Sequence, residues 1–327
     1  MANQISEHLN AEIAAGTLKN KKDCIDYLTW TYYFRRVIKN PAYYGVKDNT
    51  PEEINKFIMN LIDTCLSNIE KDKCLRMVDD YNIESTFLGH IASFYYVRHS
   101  TAAYFNDNLT PNMNVIDLIK LISYAKEFEE IPLRHNEDNY NEALAKICPY
   151  RPPDKSYDSS NLKTFLLFQM YFGRLPPPIR DYVTDAKLVI DGSMRIAMAL
   201  IDIAADRGYL SVVFNLCHVM QMIAQGMWIH DSQFLNIPHF NETIIKTLHS
   251  KENITYLPEL QNLVKKGELR NVFKKHKFGL TDENLQDIQE CIEYIPDVSF
   301  KVGISAFDSD KFEPIPGTET FIFEISF

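Results

Sequence analysis

The sequence lacks any uninterrupted apolar run of about 18 residues, so we expect no segment that spans a membrane. No basic N-terminal stretch precedes an apolar run, which predicts no secretory signal peptide. The six cysteines are scattered and form no C-x-x-C pair, so neither a disulfide scaffold nor a zinc site is indicated. These absences predict reduced thiols and a cytoplasmic or nuclear protein.

Signatures of common enzyme sites are missing as well. The sequence has 11 glycines and none precedes a lysine, which excludes a phosphate-binding loop of the G-x-x-x-x-G-K type. The patterns G-x-G-x-x-G, H-E-x-x-H and G-x-S-x-G are also absent. We therefore predict no catalytic residue, no metal ligand and no cofactor within this sequence.

The overall composition is that of a globular protein, with 46% hydrophobic and 24% charged residues. A formal net charge of −10 argues against a broad basic face of the kind that binds nucleic acid without a partner. A local basic channel remains compatible with this charge.

Helical periodicity marks residues 5–15, 21–40 and 51–69, where apolar side chains recur every three or four positions. The period then changes to that of two short strands, residues 74–78 and 83–87, around a polar turn. Three helices followed by a hairpin predict a winged-helix domain over residues 1–88. A generic helical subdomain with a surface hairpin is the alternative.

Residues 89–240 read as a helical bundle with short connections. Its longest predicted helix lies within residues 185–210, with Thr184 as N-cap and Gly208, just past Arg207, as the residue that ends it. Arg195 is the cation in the middle of this apolar helix. It is interpreted either as a buried ion pair with Asp191, four residues earlier, or as a cation offered to a nucleic-acid backbone. The spacing alone favours the ion pair.

The polar segment at the start of a predicted helix, LRHNEDN, is the best candidate for a docking element. Asn136 is its predicted N-cap, and the docking residues are Arg134, His135, Glu137 and Asp138. A metal site is less favoured because adjacent residues at a helix start point in different directions.

Residues 241–295 contain shorter, more polar helices that suggest a helix-hairpin-helix domain, whose helix N-termini could offer backbone N–H groups to phosphate. A solvated surface patch explains the same basic residues at least as well. After Pro296, alternating apolar and polar residues predict two strands within residues 296–327. The nucleic-acid-binding candidates in the basic stretch are Lys265, Lys266, Arg270, Lys274 and Lys275.

Five stretches in order resemble one known family: HLNAEIAAGT, DYLTWTYYFRRVIKNPAYY, LGHIASFYYV, IPLRHNED and GYL…MIAQGMW. They resemble the SEC-63 homology unit (Brl domain) and the preceding winged helix of Ski-two-like helicases with twin cassettes. IPLRHNED and the VGIS of residues 302–305 are more similar to the activating signal cointegrator branch, linked to ribosome quality control, than to the spliceosomal branch.

The resemblance implies a mainly α fold: winged helix, helical bundle, helix-hairpin-helix and a truncated C-terminal β-sandwich of immunoglobulin or fibronectin type. It also implies that the bundle closes a ring with two ATPase lobes outside this chain, where ATP and Mg²⁺ would bind. The helix over residues 185–210 matches the ratchet helix that touches the single strand, with Arg195 as its contact. Asp191, Asp202 and Asp206 depart from this picture because they are poor neighbours for phosphate.

Two functions follow from these observations. The first is a non-catalytic accessory region of an RNA or DNA helicase, which guides single-stranded nucleic acid and docks partner subunits, with the ATPase lobes as partners in cis. The second is a protein-interaction scaffold without nucleic-acid contact, like the SEC-63 unit of the endoplasmic-reticulum translocation machinery. The net charge of −10 favours a scaffold, whereas the winged-helix pattern favours the helicase region.

Overall fold

The computed structural model describes residues 2–46, 50–79, 81–152, 156–296, 301–306 and 321–326, with side chains for residues 4–296 of those ranges. The chain divides into two compact units, residues 1–229 and 230–327. Helices dominate the described residues of both, which confirms the prediction of a mainly α protein.

The first unit contains, in chain order, α1 (Ala2–Ala14), α2 (Lys21–Thr29), α3 (Tyr32–Lys39), α4 (Pro51–Lys71), β1 (Leu75–Met77), β2 (Ile83–Ser85), α5 (Phe87–Phe94), α6 (His99–Asn108), α7 (Val115–Ser123), α8 (Glu137–Ile147), α9 (Ser160–Phe172), α10 (Asp181–Asp206) and α11 (Leu210–Gln225). The second unit contains α12 (Glu242–Thr247), α13 (Leu257–Lys265), α14 (Leu269–His276), α15 (Asp282–Glu293), β3 (Lys301–Ala306) and β4 (Phe321–Ser326). Within the described residues, no helix is both long and apolar enough to cross a membrane.

The N-terminal part of the first unit is the predicted winged helix. Thr50 caps α4 by accepting a hydrogen bond from the backbone N–H of Glu53 at 3.4 Å, and Pro51 occupies the first turn as its fixed φ allows. Strands β1 and β2 form the predicted antiparallel hairpin. The buried core between helices and hairpin includes Leu9, Leu28, Val37, Ile58, Ile62, Leu75 and Ile83.

Gly89 allows α5 to lie directly against this hairpin. A Cβ at this position would lie 2.1 Å from the backbone oxygen of Cys74 and 2.6 Å from the Oγ of Ser85. Any larger residue would have to push the helix and the strand apart.

Two helices, α2 and α3, replace the single helix predicted for residues 21–40, so that prediction is wrong. The side chain of Thr31 accepts a hydrogen bond from the backbone N–H of Phe34 at 3.3 Å and starts a new helix. Trp30, the residue that ends α2, is 86% exposed and lies outside the core.

The long helix of the bundle is α10, which spans 26 residues and packs against α9, α11, α5 and α6. It begins at Asp181, four residues before the predicted start, and Thr184 lies inside it instead of capping it. The extra turn forms because Tyr182 is fully buried and its hydroxyl donates to Asn141 Oδ1 at 2.7 Å. The predicted end is confirmed, because Gly208 follows the last turn with φ +72°.

The start of the bundle contains one helix more than its run of apolar residues predicts. The apolar periodicity of residues 90–109 predicts one helix, but α5 ends at Phe94 and α6 begins at His99. Tyr96, with φ +57°, turns the chain between them.

The second unit has its own core, formed by α12 to α15. Strands β3 and β4 pair in antiparallel register from Lys301↔Ser326 to Ala306↔Phe321. The rest of the C-terminal β-sandwich expected over residues 296–327 lies outside the described residues. The domain boundaries after residues 88, 240 and 295 stay predictions.

Candidate nucleic-acid interface

Arg195 lies halfway along α10, on the surface of the helix that faces the junction between α5 and α6. Its neighbours Ile196 and Ala197 are fully buried, whereas Arg195 itself is half-buried. Its guanidinium donates a hydrogen bond to the backbone carbonyl of Tyr96. The helix therefore places one cation at the edge of the bundle.

The favoured interpretation of Arg195 from the sequence, an ion pair with Asp191, is wrong. No ion pair joins these two side chains within the described residues, and Asp191 is exposed to solvent. The reversed backbone at Tyr96 brings a carbonyl oxygen to the guanidinium, and this rigid acceptor replaces a flexible surface carboxylate. Because this carbonyl is neutral, the positive charge of Arg195 is not compensated by a carboxylate within the described residues.

A cleft of about 400 Å³ opens beside Arg195. Its lining residues include Gln4, Glu7, His8, Ser93, Tyr96, Arg98, Glu127, Glu130 and Arg195. The cleft therefore contains acidic as well as basic groups, and its ability to take an anion depends on which of them are already paired.

The carboxylates of the cleft have partners within the protein. Glu127 accepts from the backbone N–H of Arg98 at 2.8 Å and from the hydroxyl of Thr101 at 2.7 Å. Glu130 pairs with the Arg98 guanidinium. Glu7 accepts from the backbone N–H of His99 at 3.2 Å. Because these acids are engaged, Arg195 is the cleft cation with no carboxylate contact in the described structure.

One of the acidic neighbours on α10, Asp202, is engaged by another part of the protein. Asp202 lies on the same face as Arg195, two turns further on, and accepts a hydrogen bond from the hydroxyl of Tyr95 at 2.7 Å. This hydrogen bond to Asp202, together with burial, raises the pKa of Tyr95 to about 12. Asp202 and Arg195 thus both hold the α5–α6 junction against α10.

The residues of the candidate docking segment differ in their exposure to solvent. His135 and Asp138 are exposed, whereas Glu137 is almost completely buried at the start of α8. Asn136 is the N-cap residue of α8, as predicted, but it has φ +64° and its side chain accepts no capping hydrogen bond. Arg134 is half-exposed and contacts Glu137 at 2.8 Å.

Glu137 and Arg134 belong to a buried ion cluster that the sequence analysis missed. Its members are Arg134, Glu137, Lys163 and Asp185. The Lys163 Nζ lies 2.7 Å from Glu137 Oε2, from Asp185 Oδ2 and from the backbone oxygen of Pro132. The signal was present in the sequence, since Lys163 is the one charged residue in the apolar run of α9 and a buried lysine requires paired acids.

The cluster ties three helices and a loop together. Burial by itself raises the pKa of Asp185, but hydrogen bonds from Arg134 and Lys163 outweigh it and hold the pKa below its ordinary value. The same competition between burial and hydrogen bonds from Lys163 and Arg134 lowers the pKa of Glu137. Both carboxylates therefore stay charged at neutral pH, and the start of α10 is fixed to α8 and α9.

The basic residues predicted in the second unit are all exposed. Lys265, Lys266, Arg270, Lys274 and Lys275 lie along α13, α14 and the turn that joins them. The hairpin from α14 to α15 contains Lys277 and Gly279, both with positive φ. Thr281 caps α15 by accepting from the backbone N–H of Asn284 at 3.2 Å.

Only part of this basic charge is free to bind a ligand. Lys275 and His276 both contact Glu252, the former at 2.9 Å, and hydrogen bonds from His276 and then Lys275 lower the pKa of that carboxyl. Neither Lys266 nor Arg270 forms an ion pair in the described part of the chain, so the charges of these two side chains are unpaired.

Two family models match the sequence. The Sec63 Brl domain matches residues 85–314, and a Winged Helix-turn-helix domain matches residues 1–80. Both agree with the resemblance identified from the sequence and confirm it.

Curated relatives match most of this chain but only a small part of their own length. The mouse protein Activating signal cointegrator 1 complex subunit 3 is 41% identical over 269 residues, which are 78% of this chain and 12% of the relative. The Arabidopsis thaliana protein DExH-box ATP-dependent RNA helicase DExH14 is 37% identical over 308 residues, 94% of this chain and 14% of the relative. The human U5 small nuclear ribonucleoprotein 200 kDa helicase is 30% identical over 305 residues, 93% of this chain and 14% of the relative.

The chain thus spans about one eighth of the length of the curated relatives it matches. The Brl match covers more than half of the sequence and follows the winged helix directly. The chain therefore belongs to the Sec63 Brl domain family, with a Winged Helix-turn-helix domain before the Brl domain.

Proposed function

We propose that this chain is a non-catalytic accessory region of an ATP-dependent RNA or DNA helicase, in which α10 guides single-stranded nucleic acid and other surfaces dock partner subunits. ATP and Mg²⁺ would bind to ATPase lobes outside this sequence. This function places the protein in the cytoplasm or nucleus and rests on the relatives that carry helicase in their names.

The observation that carries the proposal is the environment of Arg195. Its guanidinium has five N–H donors, of which the contact with the Tyr96 carbonyl uses only part. The remaining donors face a cleft of about 400 Å³ whose carboxylates are engaged by other groups. An arginine held in this way can donate to a phosphate oxygen without breaking an existing ion pair.

The buried ion cluster supports the same role indirectly. Because it joins the start of α10 to α8 and α9, the helix that carries Arg195 is anchored well before its middle. A guide for a moving strand needs such a rigid element, since a displacement of the cation would weaken its contact with the backbone.

The test is single-strand binding by fluorescence anisotropy, with labelled RNA and DNA oligonucleotides at several salt concentrations. We expect binding that weakens with salt, and a salt slope for Arg195→Ala that is smaller by about 0.7 because one phosphate contact is lost. Lys187→Ala is the matched control, since Lys187 is an exposed cation on the same helix and does not line this cleft.

Failure to bind either oligonucleotide at low salt would overturn the proposed role as a strand guide. ATP hydrolysis by the purified chain alone would contradict the assignment of catalysis to other regions.

The second candidate function is a protein-interaction scaffold. A cleft of about 560 Å³ in the winged helix supports it, because exposed aromatic side chains line its rim and are typical of protein interfaces. Tyr32 is 73% exposed and Tyr43 is 68% exposed. If the chain acts only as a scaffold, Arg195→Ala should have no effect on any measurement of oligonucleotide binding.

A further inference from the structure

Tyr96 occupies a helix-ending position that ordinarily belongs to glycine. Helix α5 ends in a Schellman motif: the backbone N–H of Val97 donates to the carbonyl of Ala92 at 2.9 Å, and that of Tyr96 donates to the carbonyl of Ser93 at 3.3 Å. The motif requires the left-handed conformation at its penultimate residue, and Tyr96 has φ +57°. Tyrosine adopts this conformation only at an energetic cost.

Helices of the same unit end with glycine or with a long polar residue at this position, since Lys73 after α4 and Arg174 after α9 also have positive φ, +59° and +49°. Positive φ values occur at Gly16, Gly45, Gly208 and Gly226, each just after a helical segment. A glycine at position 96 would end α5 equally well. Tyr96 is the aromatic residue among these left-handed helix ends of the first unit, and the geometry of the turn does not require an aromatic side chain.

Packing does not supply that reason. The Tyr96 side chain is 83% exposed, so its ring buries almost no apolar area. The two positions that usually form the hydrophobic contact of this motif are held by Val97 and Ala92, which are 3% and 2% exposed, so Tyr96 is not needed for it. The ring is thus presented to solvent from a backbone that is fixed by two hydrogen bonds.

The surroundings of the ring indicate what it contacts. Tyr96 lines the same cleft of about 400 Å³ as Arg195. Arg195 is bonded to the carbonyl of Tyr96 itself, which places its guanidinium next to this turn. Exposed aromatic rings beside a cation are the combination with which proteins hold single strands, because unpaired bases stack on the rings while the cation meets a phosphate.

We propose that Tyr96 is a stacking platform for an unpaired base, with Arg195 as the adjacent phosphate contact. The inference rests on the proposed function and adds a residue that contacts a base of the single strand. It also explains the left-handed backbone, because this conformation directs the Tyr96 ring away from the core and beside the cleft of Arg195.

The experiment compares variants that separate the ring from the backbone. Tyr96→Asn removes the ring but retains a residue that tolerates positive φ, whereas Tyr96→Phe keeps the ring. Oligonucleotides carry 2-aminopurine, whose fluorescence is quenched when it stacks on an aromatic ring. Affinity and salt slope are measured by anisotropy on the same oligonucleotides.

We expect Tyr96→Asn to weaken binding about 5- to 100-fold, the range for loss of one base–aromatic stack, and to abolish the quenching. Its salt slope should equal that of the wild-type protein because no phosphate contact is removed, in contrast to Arg195→Ala. Tyr96→Phe should retain both affinity and quenching. Tyr294→Asn, which removes an 88% exposed tyrosine in the second unit, is the matched control.

A thermal unfolding scan excludes misfolding as the cause, since Tyr96→Asn should be at least as stable as the wild-type protein. If Arg195→Ala reduces the affinity and salt slope while Tyr96→Asn binds and quenches like the wild type, the stacking role is wrong and the strand guide stands. If the wild-type chain does not bind at low salt, both are wrong.

Discussion

Replacement of Lys163 by methionine tests the importance of the buried ion cluster for the first unit. Lys163 is fully buried and donates to three oxygens, each at 2.7 Å. Methionine has a similar length and leaves no large cavity, so the loss is electrostatic. Removal of one partner from a buried ion pair costs about 3–5 kcal/mol.

The geometry places the expected loss in the lower part of that range. Arg134 still contacts Asp185 at 2.7 Å and Glu137 at 2.8 Å, so neither carboxylate becomes completely unpaired. We therefore expect the free energy of unfolding to fall by about 3–4 kcal/mol. For a unit of this size, that corresponds to a decrease in Tm of about 6–16 °C.

Differential scanning calorimetry and urea unfolding followed by circular dichroism measure this change. Lys146→Met is the matched control, because Lys146 forms an exposed i,i+4 pair with Glu142 at 3.0 Å that contributes less than about 1 kcal/mol. The double variant Lys163→Met with Glu137→Gln should recover part of the loss, since it removes a carboxylate that has lost its partner. A Tm for Lys163→Met equal to that of Lys146→Met would refute the reasoning.

Three further predictions concern pH, close packing and the second unit. The carboxyl groups of Asp185 and Glu137 have pKa values below their ordinary 3.8 and 4.5, so protons bind the unfolded chain more tightly than the folded one. The stabilisation by these groups should be complete above about pH 5.5 and should decline as the pH falls through and below those values. Equilibrium unfolding at a series of pH values measures this, and a flat profile from about pH 6 to 3 would contradict it. Gly89→Ala should destabilise the first unit, because the added Cβ would lie 2.1 Å from a backbone oxygen. Gly192→Ala in α10 adds a Cβ that meets only Phe128, at 3.6 Å, and should stabilise the unit by about 0.5–1 kcal/mol. Thermal unfolding distinguishes the two variants, and equal Tm shifts would be inconsistent with the packing. Lys266→Glu with Arg270→Glu should weaken oligonucleotide binding at low salt without a change in Tm, and unchanged affinity would exclude this surface from the interface.

Local signals in the sequence were sufficient for elements whose ends are set by neighbouring residues. Thr50 and Pro51 mark the start of α4, and Gly208 marks the end of α10, because capping and left-handed backbone are properties of a few adjacent residues. The hairpin of the winged helix was also predictable, since its strands are short and joined by a polar turn. Similarity over five stretches then identified the family, and the comparisons confirm it.

Breaks inside apolar runs were not predictable, because periodicity continues across them. Residues 21–40 and 90–109 each keep the spacing of one helix, yet Thr31 and Tyr96 start or end a helix within them. Which of two competing backbone conformations forms there depends on packing against distant residues, such as the contact of Arg195 with the Tyr96 carbonyl.

The sequence by itself determined the mainly helical fold, the winged-helix pattern, the family and the presence of a cation in the middle of the long helix. Only the tertiary structure decided what that cation contacts, because Tyr96 lies 99 residues from Arg195 along the chain. It likewise decided that Lys163 joins Glu137 and Asp185, which lie 26 and 22 residues away. Electrostatic partners are chosen by distance in space, and that distance is set by the packing of whole helices.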